Sequence, residues 1–284
     1  MNLPPTGLVL EGGALRGQYT AGVLDAFLEA EIEFPYVIGV SAGASIACSF
    51  VSKQHGRNKV IVETYRHDKR YLSWSNWVST GSLFGMDFIY GDIPHRLVPF
   101  DFATFDASPT RFVTVCTDVD TGQAVYFQKQ EEDILTVLRA SASMPFLSPP
   151  VEYRGRLYLD GALSDSLPWA RAVAEGFRRN VVVLTRPREY RKKAPNPWLA
   201  RWVYGAHPRL VEAINGRWKQ YNTSLEAIEA AGEAGDALVV RPSVDLKVGR
   251  TEKSVVRLAE LYELGRTDGK TALGNRHFFQ PPSS

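Results

Sequence analysis

The chain has 284 residues, of which 44% are hydrophobic and 23% charged, with a formal net charge of +2 at pH 7. Those proportions suit one large domain, or a domain of about 150 to 200 residues with an extension, and exclude disordered and fibrous classes. The charge balance argues neither for nor against nucleic acid, and none is assigned as a partner.

From the N-terminus, "MNLPPTGLVLEGG" lacks the basic region and apolar run of a secretion leader, and no stretch reaches 18 uninterrupted apolar residues. Cys48 and Cys116 stand far apart in apolar runs, as reduced core thiols rather than a disulfide frame or a metal site. Together these favour a cytoplasmic protein whose membrane contact, if it has any, is peripheral at the inner surface.

"GLVLE" reads as a short buried strand ending in the glycine-rich turn Gly12 to Gly17. From Gln18 the spacing becomes helical, with Tyr19, Val23, Phe27 and Ala30 on one face. "YVIGV" is a second buried strand, and "AGASIACSFVSK" a helix that starts just past Ser41. Strand, helix, strand, helix makes a βαβ unit and a parallel sheet, an α/β fold class. "NKVIVETYRHDKRYL" reads as a further helix and "SWSNWVSTGSLFGMDFIYGD" as an irregular aromatic-rich segment. "RFVTVCTDVD" and "AVYF" are strands joined at Asp120-Thr121-Gly122, and "EDILTVLRASASM" is a helix stopped by Pro145. "VEYRGRLYLDGA" is a hairpin around Arg154-Gly155 whose second strand delivers Asp160. After "SLPWARAVAEGF", a helix with proline near its start, "NVVVLT" is another buried strand. At Arg186 the composition shifts to the basic loop "RPREYRKKAPNPW", and the remainder is mostly helical with one strand, "ALVVRPS".

A right-handed crossover between parallel strands leaves both strand-to-helix loops at the carboxyl edge of the sheet, so the glycine loop and the Ser41 turn should be neighbours. In Gly39-Val40-Ser41-Ala42-Gly43 the flanking glycines permit a sharp turn from strand into helix that projects the serine oxygen. The helix that follows offers unpaired N–H groups to an oxyanion, with Ala42 as one donor and the amides of "GGALRG" as others. Alone, G-x-S-x-G is a loose pattern. The glycine loop is not a nucleotide site: Gln18 and Tyr19 follow Gly17 where a P-loop needs lysine and a hydroxyl, and Ala14 replaces the second glycine of a dinucleotide fingerprint.

A base for Ser41 is less obvious. His55, His67 and His95 read as surface, while His207 and His277 occupy no recognisable strand end. Asp160, followed by Gly161-Ala162, does lie at one. A buried carboxylate can take a serine proton directly if burial raises its pKa, although an isolated Asp-Gly more often caps a turn.

"EGGALRG", "GVSAG" and "DGA", in this order, with "ASASMPFLSPP" ahead of the last, resemble the patatin-like phospholipase family over about Thr6 to Ala174. The resemblance implies a three-layer α/β/α fold with a mainly parallel central sheet over residues 6–174, followed by a C-terminal strand and helical extension over 175–284. The part from Arg186 is similar to the extension of one bacterial branch. It further implies a serine lipid acyl hydrolase with a Ser-Asp dyad: Ser41 as nucleophile and Asp160 as base and then acid. Gly12, Gly13, Ala14, Leu15, Arg16 and Gly17 would form the oxyanion loop with Ala42, with Gly39, Gly43, Gly161 and Ala162 framing the two motifs. No metal or organic cofactor is implied. Ala14 departs from the family's usual glycine, and at positive φ it would cost about 1 to 2 kcal/mol.

The expected substrate is a lipid or another ester. Trp77, Leu83, Phe84, Met86, Phe88 and Ile89 could line an acyl groove or simply pack a core. "RPREYRKK" with Trp198, Trp202 and Tyr204 would suit an anionic lipid surface, or a solvated loop beside a packed helix. Acyl transfer to an alcohol or thiol and a non-catalytic lipid-binding role remain as alternatives.

Overall fold

The computed structural model describes residues 6–129 and 133–279. The start of the N-terminal reading, through Pro5, and Glu132, the first residue of the "EDILTV" helix, lie outside them.

The chain order is β1 (Thr6–Leu10), α1 (Gly17–Glu29), β2 (Tyr36–Val40), α2 (Ala42–Val51), α3 (Arg57–Tyr65), α4 (Trp74–Thr80), a π-helix (Phe88–Leu97), α5 (Phe102–Ala107), β3 (Arg111–Asp118) and β4 (Ala124–Gln128). It continues with α6 (Ile134–Ser141), β5 (Val151–Tyr153), β6 (Arg156–Asp160), α7 (Trp169–Ala174), β7 (Arg179–Val183), α8 (Pro197–Tyr204), α9 (Pro208–Ala234), β8 (Ala237–Val240), α10 (Val255–Leu273) and α11 (Arg276–Phe279). The strands form one sheet ordered β5-β6-β3-β2-β1-β7-β8, with β4 also on β3. β3, β2, β1, β7 and β8 run parallel to their neighbours, whereas β4 and β6 are antiparallel to β3.

Pleating separates the two faces. Leu8, Leu10, Val37, Val181 and Val183 pack with α1, α2 and α10 through Tyr19, Val23, Ala47, Phe50 and Tyr262. Val9, Ile38, Val40, Val113 and Val182 pack on the other side with α7 and α9 through Ala172, Tyr221, Leu225 and Ile228. Two cores on one sheet make the three layers, and each fully buried Val or Leu contributes about 1.5 to 3 kcal/mol.

α1 is buried on every side from Gly17 to Phe27, not along one face as its spacing suggests, because α10 covers the side turned away from the sheet. Glycines permit that contact: a Cβ on Gly22 would stand 2.0 Å from the Tyr262 carbonyl oxygen, and one on Gly265 2.1 Å from that of Tyr19. Ala30 caps α1 and is exposed. The aromatic-rich segment is more regular than expected. Ser73 caps α4 by accepting from the Asn76 N–H, Gly81 closes it in the left-handed region, and the π-helix carries Pro94 without ending. The helix expected from Asn58 onward stops at Tyr65. Cys48 and Cys116 are buried thiols on α2 and β3.

Candidate active site

The carboxyl ends of β1, β2 and β6 meet. β2 sets Val40 opposite Val115, and β6 sets Asp160 opposite Cys116, the next residue along β3, so the serine and the aspartate arrive at the same level of the sheet. The glycine loop touches the serine turn directly. A Cβ on Gly12 would lie 2.9 Å from Cβ of Ser41, and one on Gly43 2.6 Å from the Glu11 carbonyl oxygen. Larger residues at either position would separate the two loops.

Ser41 is the N-cap of α2 and is held at φ 55°, ψ −126°, a conformation an L-residue adopts only under surrounding constraint. The constraint is visible: its N–H donates to the Ser141 hydroxyl at 2.8 Å, and that hydroxyl donates to the Val115 carbonyl at 2.6 Å. Ser41 and Asp160 line the same cavity, and the Ser41 side chain is near enough to favour the charged form of the Asp160 carboxyl. Asp160 accepts from the Ala162 N–H at 2.8 Å, while its own N–H donates to the Ser143 carbonyl, so the "ASAS" segment holds both groups. Only 5% of each residue is exposed. Burial pushes the Asp160 carboxyl above the usual carboxylate range, against the opposing influence of Arg217, the Ala162 N–H and Ser41.

Within the glycine loop, the Leu15 N–H donates to the Arg250 carbonyl and the Arg16 N–H to that of Gly13. Among the described residues, the N–H groups of Gly12, Gly13, Ala14 and Ala42 have no hydrogen-bond partner. Of the amides expected as donors, these four are unpaired, whereas those of Leu15, Arg16 and Gly17 are taken up by backbone carbonyls. Ala14 stands at φ 49°, the left-handed conformation that makes alanine costly there.

Two cavities share Ser41. One is apolar and runs from Leu15 and Ala42 past Ile46, Ile61, Val62 and Tyr71 to Phe84, Met86, Ile89, Tyr90 and Phe100. Of the aromatic-rich segment's six candidates, Phe84, Met86 and Ile89 line it; Leu83 and Phe88 are buried elsewhere, and Trp77 is 44% exposed. The other cavity is polar and holds Glu11, Arg16, Asp160, Arg186, Lys192, Arg217 and Arg250. Sequence reading missed most of these. Glu11 is buried at the end of β1, accepting from the N–H and hydroxyl of Thr185 at 2.6 and 3.0 Å and from the Tyr221 hydroxyl at 3.1 Å. It ties the glycine loop to β7 and α9.

Among the described residues no histidine lines either cavity. His207 instead faces Asp120 at 3.2 Å, His95 stacks on Phe102, and the side chain of His277 lies outside what is described.

The family model described as patatin-like phospholipase matches residues 8–173, and one described as a domain of unknown function matches residues 207–275. YjjU of Escherichia coli, an uncharacterized protein, is 28% identical over 270 residues, covering 93% of this chain and 75% of its own length. The lysophospholipase nte1 of Emericella nidulans is 27% identical over 289 residues, which span 94% of this chain and 18% of that protein. Among solved structures, VipD from Legionella pneumophila aligns over 95% of this chain and 67% of its own, with 14% identity and a TM-score of 0.48.

Proposed function

The chain belongs to the patatin-like phospholipase family, hydrolases of carboxylic esters, and from that premise we propose that it is a serine lipid acyl hydrolase working through Ser41 and Asp160. The observation that carries the reading is the buried serine at φ 55° that shares a cavity with an equally buried carboxylate.

In the proposed reaction, the Asp160 carboxylate takes the Ser41 proton as Oγ attacks the ester carbonyl. The oxyanion accepts from the unpartnered amides of the glycine loop and Ala42, at the positive end of α2. As the intermediate collapses, Asp160 returns the proton to the departing alcohol, leaving an ester on Ser41. Water then attacks that ester while giving its proton to Asp160. Collapse expels Ser41, which recovers the proton, and releases the free acid. The apolar cavity beside Ser41 supports a long acyl chain as the group transferred.

We further propose a cytoplasmic location with peripheral contact at an anionic membrane surface. Among the described residues no helix is long and apolar enough to cross a membrane. Trp198 and Trp202 on α8 are 69% and 84% exposed, next to the basic loop. α8 is tied to the site: the Tyr204 hydroxyl accepts from the Phe146 N–H, two residues from Met144, which lines both cavities. Co-sedimentation with phosphatidylserine vesicles, lost in Trp198→Ser with Trp202→Ser, tests this.

The decisive test of the activity is labelling by a fluorophosphonate together with ester turnover. Labelling at Ser41 that vanishes in Ser41→Ala is expected. Unchanged turnover in Ser41→Ala or Asp160→Asn would overturn the dyad.

A further inference from the structure

Five cations, Arg16, Arg186, Lys192, Arg217 and Arg250, line the polar cavity at Ser41 against two carboxylates, Glu11 and Asp160. Such an excess in a partly dry space is costly unless something negative enters it. Glu11 is already spent on Thr185 and Tyr221. None of the five cations has an ion pair among the described residues, and the buried Nε–H groups of Arg16 and Arg186 have no hydrogen-bond partner at all.

The cations are held in place by the fold. Lys192 is clamped to α9 by a reciprocal pair, its N–H donating to Asn222 Oδ1 at 2.8 Å and its carbonyl accepting from Asn222 Nδ2 at 3.0 Å, with its ammonium 4.2 Å above the Tyr221 ring. Arg186 lies 4.4 Å over Tyr190, Arg217 Nε donates to the Ser166 hydroxyl at 3.3 Å, and the Arg250 carbonyl receives the Leu15 N–H. Burial first, and Arg217 second, push the Lys192 ammonium down to about 6, as expected of cations gathered without enough counter-charge. Four of the five lie beyond residue 173, where the match to the acyl-hydrolase family ends.

We propose that this cavity is a phosphate subsite, and that the preferred substrate is a single-chain lipid with a terminal phosphomonoester, its acyl chain in the apolar cavity and its phosphate among Arg186, Lys192, Arg217 and Arg250. The proposal rests on the acyl-hydrolase reading above. A phosphomonoester brings close to two negative charges and acceptor oxygens that match guanidinium forks. A choline headgroup would bring a fixed positive charge into a cationic space, and a second acyl chain would find that wall polar. The basic loop thereby divides: Arg186 and Lys192 face the site, whereas Arg191 pairs with Glu229 outside it.

The test compares kcat/KM of the full chain for three esters with one acyl group: the acyl glycerol phosphate, the acyl glycerophosphocholine and the neutral monoacylglycerol. The expected result is a preference for the phosphomonoester over the neutral ester of at least about tenfold, falling by about tenfold in Arg250→Gln and in Lys192→Gln. Thermal melting checks that both variants fold. Arg250, exposed at the mouth, keeps the test open should Lys192→Gln unfold. Inorganic phosphate is also expected to compete with monoacylglycerol hydrolysis. Equal efficiency on all three esters, or preference for the choline ester, overturns the subsite and leaves the acyl-hydrolase reading standing. Inhibition by inorganic phosphate without preference for the lipid phosphate assigns the cavity to a free anion and overturns the lipid assignment. Failure to hydrolyse any ester, with no fluorophosphonate labelling, removes both readings.

Discussion

The two cavities that meet at Ser41 differ in almost every physical respect. The apolar one is walled by α2, α3 and the stretch from Phe84 to Phe100, all within the family-matched part of the chain. The cationic one is floored by the glycine loop, Ser41 and Asp160, but four of its five cations come from after β7, on the loop around Lys192, on α9 and at Arg250. A chamber that gains energy from area tolerates many chains of similar size; one that gains it from charge discriminates among headgroups. On the proposed reading, reaction and chain preference belong to the family-matched part of the chain, and headgroup choice to the cations that follow it.

The largest effects should fall on Ser41, common to both cavities, and on Asp160 in the polar one. Ser41→Ala is expected to lower ester hydrolysis by on the order of 10⁴-fold or more, and Asp160→Asn by about 10² to 10⁴-fold, measured as kcat/KM on a soluble ester. His207→Ala should leave that value unchanged, since His207 lines neither cavity. A large loss there would point to a histidine-assisted mechanism.

Asp160→Asn should also unfold at a higher temperature than the parent at neutral pH. The folded-state pKa of Asp160 is raised, so its charged form is penalised by burial above that pKa, and the penalty disappears as pH falls below the ordinary value. The same shift governs activity. Asp160 must be ionised to accept the serine proton, so kcat/KM should fall on acidification with a midpoint above the ordinary carboxylate value of about 3.9. A midpoint at or below that value would mean another group carries the limb.

Chain length isolates the apolar side. Each methylene buried there adds about 0.8 kcal/mol, so kcat/KM should climb about fourfold per carbon across short esters until the cavity is filled. In Met86→Trp the climb should stop at a shorter chain while the shortest ester reacts as before. The smallest effect is expected at Ala14→Gly. Relief of left-handed strain, less the extra entropy that glycine loses, should raise stability by about 0.5 to 1 kcal/mol in urea unfolding.

The sequence carried the apolar side of this contrast better than the charged side. β1, β2, β3 and β7 are continuous buried runs legible as strands, and the order of "EGGALRG", "GVSAG" and "DGA", through its resemblance to a family, made Ser41 and Asp160 the expected pair. Local periodicity could not show that α1 is enclosed all round, because the covering helix α10 begins 226 residues after Glu29. The π-helix escaped because Pro94 reads as a breaker, and α4 because its cap, Ser73, sits in a run of similar polar residues. The cationic cavity was illegible for a different reason. Arg186, Lys192, Arg217 and Arg250 are scattered over 65 residues of loop and helix, and only tertiary packing reveals which cations turn inward. "RPREYRKK" signalled charge without signalling direction.

The position of β7 also governs how the protein can be made. β1, the strand that carries the glycine loop, lies between β2 and β7, with Thr6 opposite Arg179. During synthesis the first strand therefore waits, one edge unpaired, until more than 170 further residues have emerged. A nascent chain arrested at Ala174 would present a bare, mostly apolar edge, and pairing across that separation is slow because loop closure precedes any gain. The strand that carries the glycine loop is thus synthesised first and fully paired last, which predicts that protection from hydrogen exchange of the β1 amides facing β7 appears only once β7 has been translated.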